Sequence, residues 1–323
     1  MIDLTQLPPP DLLEALDFEA LYAGKLARFQ SLYPDWSAAL ESDPVVKLLE
    51  LSAYDEMMYR ARVNDVALSR TLAFARRGDL DHTVALLDVQ RLLVSPGDPE
   101  ADPPVDPRHE AAARLRVRAQ MARAGPSVAG SVGAYIFHAL SASADVADVA
   151  IDAPRFARVE LAPAVLAQLP PGAIVLQVTH DAGLAAPMPG DVAVNVLAVS
   201  HDDAHYQTLL PLVEQHLSAD SIRPLTDHPH ALAGVAVPFR VQAVLEFDPG
   251  PDPAVAESAS RERLDALLTS RHKLGADMPL SALYAALHGP GIARVRLEQP
   301  VADVMCALHQ FPLCDGIELT RAP

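Results

Sequence analysis

Residues 43–78, DPVVKLLELSAYDEMMYRARVNDVALSRTLAFARRG, contain no glycine or proline between Pro44 and Gly78, and this stretch constrains the chain more than any other. Asp43 is a good N-cap and Pro44 suits the first helical turn. Arg76 and Arg77 put positive charge in a last turn that Gly78 closes. The pattern predicts one helix of thirty-odd residues, a rod roughly 50 Å long at about 1.5 Å per residue. Leu51, Tyr54, Met58, Ala61, Leu68, Leu72 and Ala75 fall at three-and-four spacing, interrupted by Asp65, while Val45, Leu48, Leu49, Met57 and Val66 lie off that seam. The rod is therefore apolar on more than one side. It reads as a core helix of a large domain or as part of a bundle shared between chains. Its length, well above the mean of about 11–12 residues, favours the shared bundle. Val45, Leu48, Leu51, Tyr54, Met58, Leu68 and Leu72 are the interface candidates.

The flanks are organised around this rod. Pro8-Pro9-Pro10 form a stiff extended arm, and a helix is expected from Asp11 to about Leu32, stopped by Pro34. After Gly78 an acidic stretch ends in SPGDPEADPPVDP, a loop or linker. A basic helix with Arg108, Arg114, Arg116, Arg118 and Arg123 follows; without interleaved aromatics it reads as a solvated or salt-bridged face. Beyond it the pattern is mixed. DVADVAID, DVAVNVLAVS, GVAVPFRVQAVLEF, IARVRLEQP and GIELTRA read as strands, and Tyr206–Leu217, Ala254–Ser270 and LSALYAALHG as helices. The fold class expected is α+β and multidomain: long N-terminal helices for an inter-chain bundle, then small mixed α/β domains in series. The expected divisions are 1–78, the arm and helical region; 79–107, an acidic proline-rich connector; 108–228, a middle domain; and 229–323, a C-terminal domain.

A net charge of −17, from 42 acidic against 25 basic residues, disfavours nucleic acid as a partner. No run of 18 apolar residues occurs, so no membrane insertion is expected, and the acidic N-terminus lacks the basic segment of a signal peptide. Cys306 and Cys314 have no partners at zinc spacing. GPSVAGSVGAYIFHALSAS, residues 125–143, tests the nucleotide-binding reading. Gly125 and Gly130 have P-loop separation, but Ser131 stands where the lysine must be and Val132 where the hydroxyl must be. The nucleophile elbow fails at Ala129, its last position. Ser127 reads as an N-cap or turn residue, and Gly130 and Gly133 as points of close backbone approach. His201 and His205 at i, i+4, and the DHPH cluster from Asp227 to His230, are more often polar loops than metal sites. No catalytic residue, metal site or cofactor is expected.

Four segments carry a resemblance to a known family. IDLTQLPPPDLLEALDFEAL and ESDPVVKLLELSAYDEMMYRARVND resemble the N-terminal arm and long helix of the baseplate assembly protein J family, found in contractile-tailed phages and R-type bacteriocins. That family's LSVAGSVGAY is similar to Pro126–Tyr135, with Pro126 in place of leucine. RPLTD at Arg223–Asp227 and HKLGADMPLSALYAALHGPGIARVRLEQPVAD at His272–Asp303 resemble its C-terminal block. The signature positions are Ser127, Gly130, Ser131, Gly133, Tyr135, Arg223, Pro224, Leu274, Gly275, Ser281 and Tyr284. Relatives pass almost directly from the strand at Asp148–Ile151 to that at Val192–Val199, so residues 155–187 form an inserted segment. The resemblance implies a structural protein. Its partners would be an I-type baseplate wedge protein, a second copy of itself, neighbouring wedges, and sheath-initiator and hub proteins. It would lie in the baseplate of a particle assembled in the bacterial host cytoplasm. The rival readings are a tail-associated hydrolase acting on cell-wall or surface glycan, and a tail assembly chaperone absent from the finished particle.

Overall fold

The computed structural model describes residues 2–36, 42–127, 129–250 and 252–322. They form two compact units, the first of residues up to 91 together with 110–122, the second of 92–109 together with 123 onward. The architecture is α+β, with helices first and small mixed layers after them.

The first unit is helical. Its arm carries a short 3-10 turn at Leu4–Gln6, followed by α1 (Phe18–Leu32) and α2 (Pro44–Ser69). Helix α1 starts seven residues later than the sequence pattern predicts. The Asp17 carboxylate accepts from the Ala20 N–H at 3.0 Å and caps the helix there. The preceding residues are held instead by Asn64, whose amide accepts from the Glu14 N–H and donates to the Glu14 carbonyl, both at 2.8 Å. Helix α2 starts as predicted, with Asp43 accepting from Val45 N–H at 2.8 Å and Pro44 in the first turn. Ion pairs Arg60–Glu14 and Lys25–Glu56, with the Trp36 indole on Asp43, run in opposite order along the two helices, which makes them an antiparallel hairpin.

The rod ends nine residues short of Gly78. At its C-terminus Ser69 and Thr71 hydroxyls donate to the carbonyls of Val66 and Leu68, a local alternative that competes with continued helix. Residues 70–76 then turn, and a separate α3 (Arg77–Ala85) begins, so Gly78 lies inside a helix rather than closing one. At 26 residues α2 spans about 39 Å. Leu72 and Ala75 therefore leave the seam. Their carbonyls accept from the Arg116 guanidinium on α4 (Ala112–Met121), at 2.8 and 2.7 Å.

Helix α4 is the centre of the basic stretch. Arg118 is buried, paired with the Glu110 carboxylate, and donates to the Gln90 carbonyl at 3.0 Å. With Arg114 also paired to Glu110 at 3.7 Å, three of the five arginines close backbone or ionic bonds inside the first unit, in keeping with the salt-bridged reading.

The second unit opens with β1 (Leu93–Ser95), paired antiparallel with β2 (Arg108–His109), so the proline-rich stretch is the tip of a hairpin. Helix α5 (Val132–Ala142) and strand β3 (Val146–Asp152) follow. Next come β4 (Arg155–Arg158), the short α6 (Pro163–Leu166) and β5 (Leu176–His180), with β4 and β5 forming a two-stranded hairpin. Strand β6 (Asp191–Ala198), α7 (Asp203–Leu217) and β7 (His228–Ala233) make a crossover, β6 and β7 being parallel. The middle sheet runs β3-β6-β7, its β6 buried almost throughout and α5 and α7 packed on it.

Strand β7 continues through Gly234 into β8 (Val235–Phe247), which passes into a second sheet ordered β10-β8-β9. Helices α8 (Pro253–Arg271) and α9 (Leu280–Leu287) precede β9 (Ile292–Gln299) and β10 (Gln310–Arg321). Alternate residues Phe239, Val241, Ala243 and Leu245 of β8 face inward; the first three pack with Leu264, Met278, Leu283 and Leu287 in one core, and Leu245 with Ala256 and Ile292 in a second.

Candidate assembly surface

Helix α2 buries only Val46 and Ala53, and α1 buries no residue fully. A helix in a finished globular unit covers an apolar stripe about 100° wide. Here the stripe facing α1 is covered and the remainder is open. Leu48 (64%), Leu51 (57%), Tyr54 and Met58 (50% each) are exposed, whereas Val45, Leu68 and Leu72 are half-buried. The structure thus leaves Leu48, Leu51, Tyr54 and Met58 open to a partner. It half-covers Val45 and Leu68, and places Leu72 beyond the helix.

A second open stripe escaped the sequence reading. Tyr59 (71% exposed), Val63 and Val66 line a groove of about 510 Å³ with Pro10, Leu12 and Ala67, rimmed by Arg62 and Arg70. Tyr59, Val63 and Val66 are spaced i, i+4, i+7, so the signal was there. The seam through Leu51 drew it away, because one helix can carry two stripes. A further apolar groove of about 610 Å³ runs beside the arm between Ile2, Leu4, Phe74, Ala113 and Val117, where Gln120 donates to the Ile2 carbonyl at 2.8 Å.

The signature residues cluster in the second unit. Gly130 adopts φ +71°, and a Cβ there would meet the Asp227 carboxylate at 2.9 Å and Pro224 at 3.3 Å. The Tyr135 hydroxyl donates to Asp227 at 2.8 Å, and the Arg223 guanidinium donates to the Asp227 carbonyl at 3.2 Å. Burial and the Asp227 carboxylate push the Tyr135 phenol well above its ordinary range, so it stays a donor. Ser131 is the N-cap of α5, accepting from the Ala134 N–H, while Ser127 sits in the preceding turn with its N–H on the Ala124 carbonyl. Gly133 packs where a Cβ would lie 3.2 Å from Ala124. The glycine stretch is thus the socket for RPLTD; Asp227, named in the sequence as the start of a weak His cluster and the end of RPLTD, is instead the acceptor that ties the two together. Val128 lies outside the described residues.

A second cluster joins the two sheets. The Leu274 N–H donates to Asp148 of β3 at 2.9 Å, Gly275 donates to the Gln310 carbonyl at 2.7 Å, and Leu274 lies 2.9 Å from where a Gly234 Cβ would be. Burial raises the Asp148 carboxyl above its usual range against the N–H bond from Leu274. Ser281 and Tyr284 are exposed on α9, away from both clusters.

The histidines do not converge. His201 lies in a loop against His272 and Phe311, with ring centroids 5.1 and 5.0 Å away, and His205 lies within α7. His230 bonds Asp191 at 3.1 Å. Among the described residues no three His, Cys, Asp or Glu side chains are grouped to hold a metal, and no helix is long and apolar enough to cross a membrane.

The fold and its surface define a class: an α+β protein of two units, of which the helical one exposes apolar side chains along α2. Comparison with known proteins gives that class its family. Residues 41–98 match the Baseplate J-like N-terminal domain. The chain is 35% identical over 321 residues to baseplate protein J of Escherichia phage P2, covering 97% of this chain and 95% of that protein. The chain belongs to the baseplate J-like family.

Proposed function

We propose that this protein is a structural component of the baseplate of a contractile injection particle, working as a wedge protein. In this reading two copies join one I-type partner through a helical bundle built on α1 and α2. Wedges close into a ring around the hub through contacts of the C-terminal sheet, and interface rearrangement in that ring releases sheath contraction. The observation that carries the bundle is the double apolar exposure of α2, at Leu51, Tyr54 and Met58 on one side and Tyr59, Val63 and Val66 on the other. One stripe would serve a single partner; two suit a helix lying between neighbours.

The near full-length likeness to a baseplate protein supports the location. The test is a reconstruction of purified particles. The chain is expected in the ring beside the sheath, with α2 buried between helices of other chains. Its absence from particles of full protein composition would favour the assembly chaperone, and glycan release by the purified chain would favour the hydrolase.

A further inference from the structure

Among the described residues the β4–β5 hairpin is a two-stranded sheet, and no further strand pairs with β5 on its other edge. Phe156 stands opposite Val178, Ala157 opposite Gln177 and Arg158 opposite Leu176. The Val159 N–H donates to the Val175 carbonyl at 3.0 Å. Bonded pairs alternate along an antiparallel ladder, so Gln177 also turns its backbone groups toward β4. Leu176 and Val178 then aim their N–H and C=O groups at the open edge. The side chains of Ile174, Leu176 and Val178 share one face by the two-residue period and are 65%, 44% and 43% exposed.

The two edges of this ribbon are guarded unequally. Strand β4, RFAR, carries Arg155 and Arg158, whereas β5, LQVTH, has no Lys, Arg, Asp, Glu or Pro. Edge strands are ordinarily protected by such residues, and a two-stranded ribbon is marginal alone. An unguarded edge beside an exposed apolar stripe is one that pairs.

We propose that β5 pairs edge to edge with β5 of a second copy, antiparallel about a twofold axis at Leu176. The result is a four-stranded sheet in which Ile174 of each copy faces Val178 of the other. Charge selects this occupant. Residues 155–180 carry Arg155 and Arg158 against Glu160, a net charge of +1 (2 − 1), in a chain whose net charge is −17. Two copies repel over most of their surfaces, and here they do not. Self-pairing about a twofold sets each residue against its own kind or a near neighbour, so an uncharged strand pairs with itself without opposing like charges.

The test is a cross-link in the full chain. Leu176→Cys, in a chain also carrying Cys306→Ser and Cys314→Ser, is expected to give a disulfide-linked dimer under mild oxidation. A bonded antiparallel pair holds Cα atoms about 5.5 Å apart, within disulfide reach. Leu86→Cys, a highly exposed control, is expected to cross-link about tenfold less. Adding Val178→Pro removes an outward N–H but no bond of the hairpin, and is expected to cut the Leu176→Cys dimer by about tenfold or more. Equal cross-linking of the two cysteine variants, indifference to Val178→Pro, or coupling of the Leu176→Cys thiol to a different chain in particles would overturn the proposal. Should the cysteine variant misfold, amide exchange of 174–180 in the unaltered chain decides. Protection rising with protein concentration supports the pairing, and protection independent of concentration sinks it.

Discussion

Asp227 is held by groups that come from far along the chain, and single atoms at this lock have measurable consequences. Tyr135→Phe removes one donor to a carboxylate and leaves the ring in place. A bond to a charged group is worth about 1.5–3 kcal/mol, so a loss near 2 kcal/mol is expected in urea melts. Gly130→Ala combines a left-handed φ with a Cβ pressed to 2.9 Å from the Asp227 carboxylate, and should cost about 1–3 kcal/mol. Equal stability of both variants with the parent would show that RPLTD is positioned by other contacts. The α5–α7 pair gives a pH effect of definite sign. Burial, then the neighbouring His138, hold His216 below its ordinary value of 6.5, and its buried Nε2 has no hydrogen-bond partner among the described residues. The unfolded chain therefore takes up a proton near pH 6.5 that the folded chain refuses. Stability from this source is complete above about pH 6.5 and falls as pH drops below it. His216→Gln should flatten the fall in Tm between pH 7.5 and 5.5; an unchanged slope would assign the acid sensitivity elsewhere. The sequence displayed the glycines of this lock and the motifs that hold Asp227, but not its role as acceptor, because the partner residue Tyr135 lies 92 residues away. Only the fold brings Asp227 over Gly130.

At the scale of elements, helix α2 separates what pattern reveals from what packing decides. Its start was legible, since an N-cap aspartate followed by proline is local chemistry. Its end was not: Arg116, more than forty residues away, captures the carbonyls of Leu72 and Ala75 that a longer helix would have bonded internally. The start of α1 was missed for the same kind of reason, because Asn64 takes the backbone of Glu14. Strands were legible where burial shaped them, as in β6 and β8, but β7 was not, its His228 and His230 having been read as part of a polar loop. Which faces of α2 stay open depends on where α1 lies, and that is a tertiary fact. The consequence is a sharp contrast between folding and assembly. Leu51 is 57% exposed, so Leu51→Asp should change the stability of the free chain by no more than about 0.5 kcal/mol. In a bundle the same site would bury about 1.5–3 kcal/mol of apolar transfer and could not accept an unpaired carboxylate. Leu51→Asp and Val66→Asp are therefore expected to melt like the parent yet fail to co-purify the I-type partner. Wild-type co-purification by both would remove α2 from the bundle.

Across the whole molecule, the two units rest on unequal cores. The second has buried strands, with Val241, Ala243 and Leu245 of β8 nearly inaccessible, Met278, Leu283 and Leu287 in one core with Val241, and Phe311 of β10 buried against the rings of His201 and His272. In the first, α1 buries nothing fully, α2 buries two residues, and the better covered residues lie on α3 and α4, at Leu80, Val84 and Leu115. Helices that lack a packed face are marginal in water, because their stability comes from burial rather than from propensity. Opening free energies should accordingly differ by region, with α1 and the N-terminal turns of α2 opening locally while β8 and β10 exchange only on global unfolding. Amide hydrogen exchange read by mass spectrometry on the free chain is expected to show α1 and α2 exchanging orders of magnitude faster than β8. In purified particles the same helical peptides should become protected by as much as their partners contribute, since a ligand that binds only the folded form stabilises by mass action. Slow exchange of α2 in the free chain, matching β8, would mean that the helical hairpin is complete alone and that its exposed leucines and tyrosines have another use.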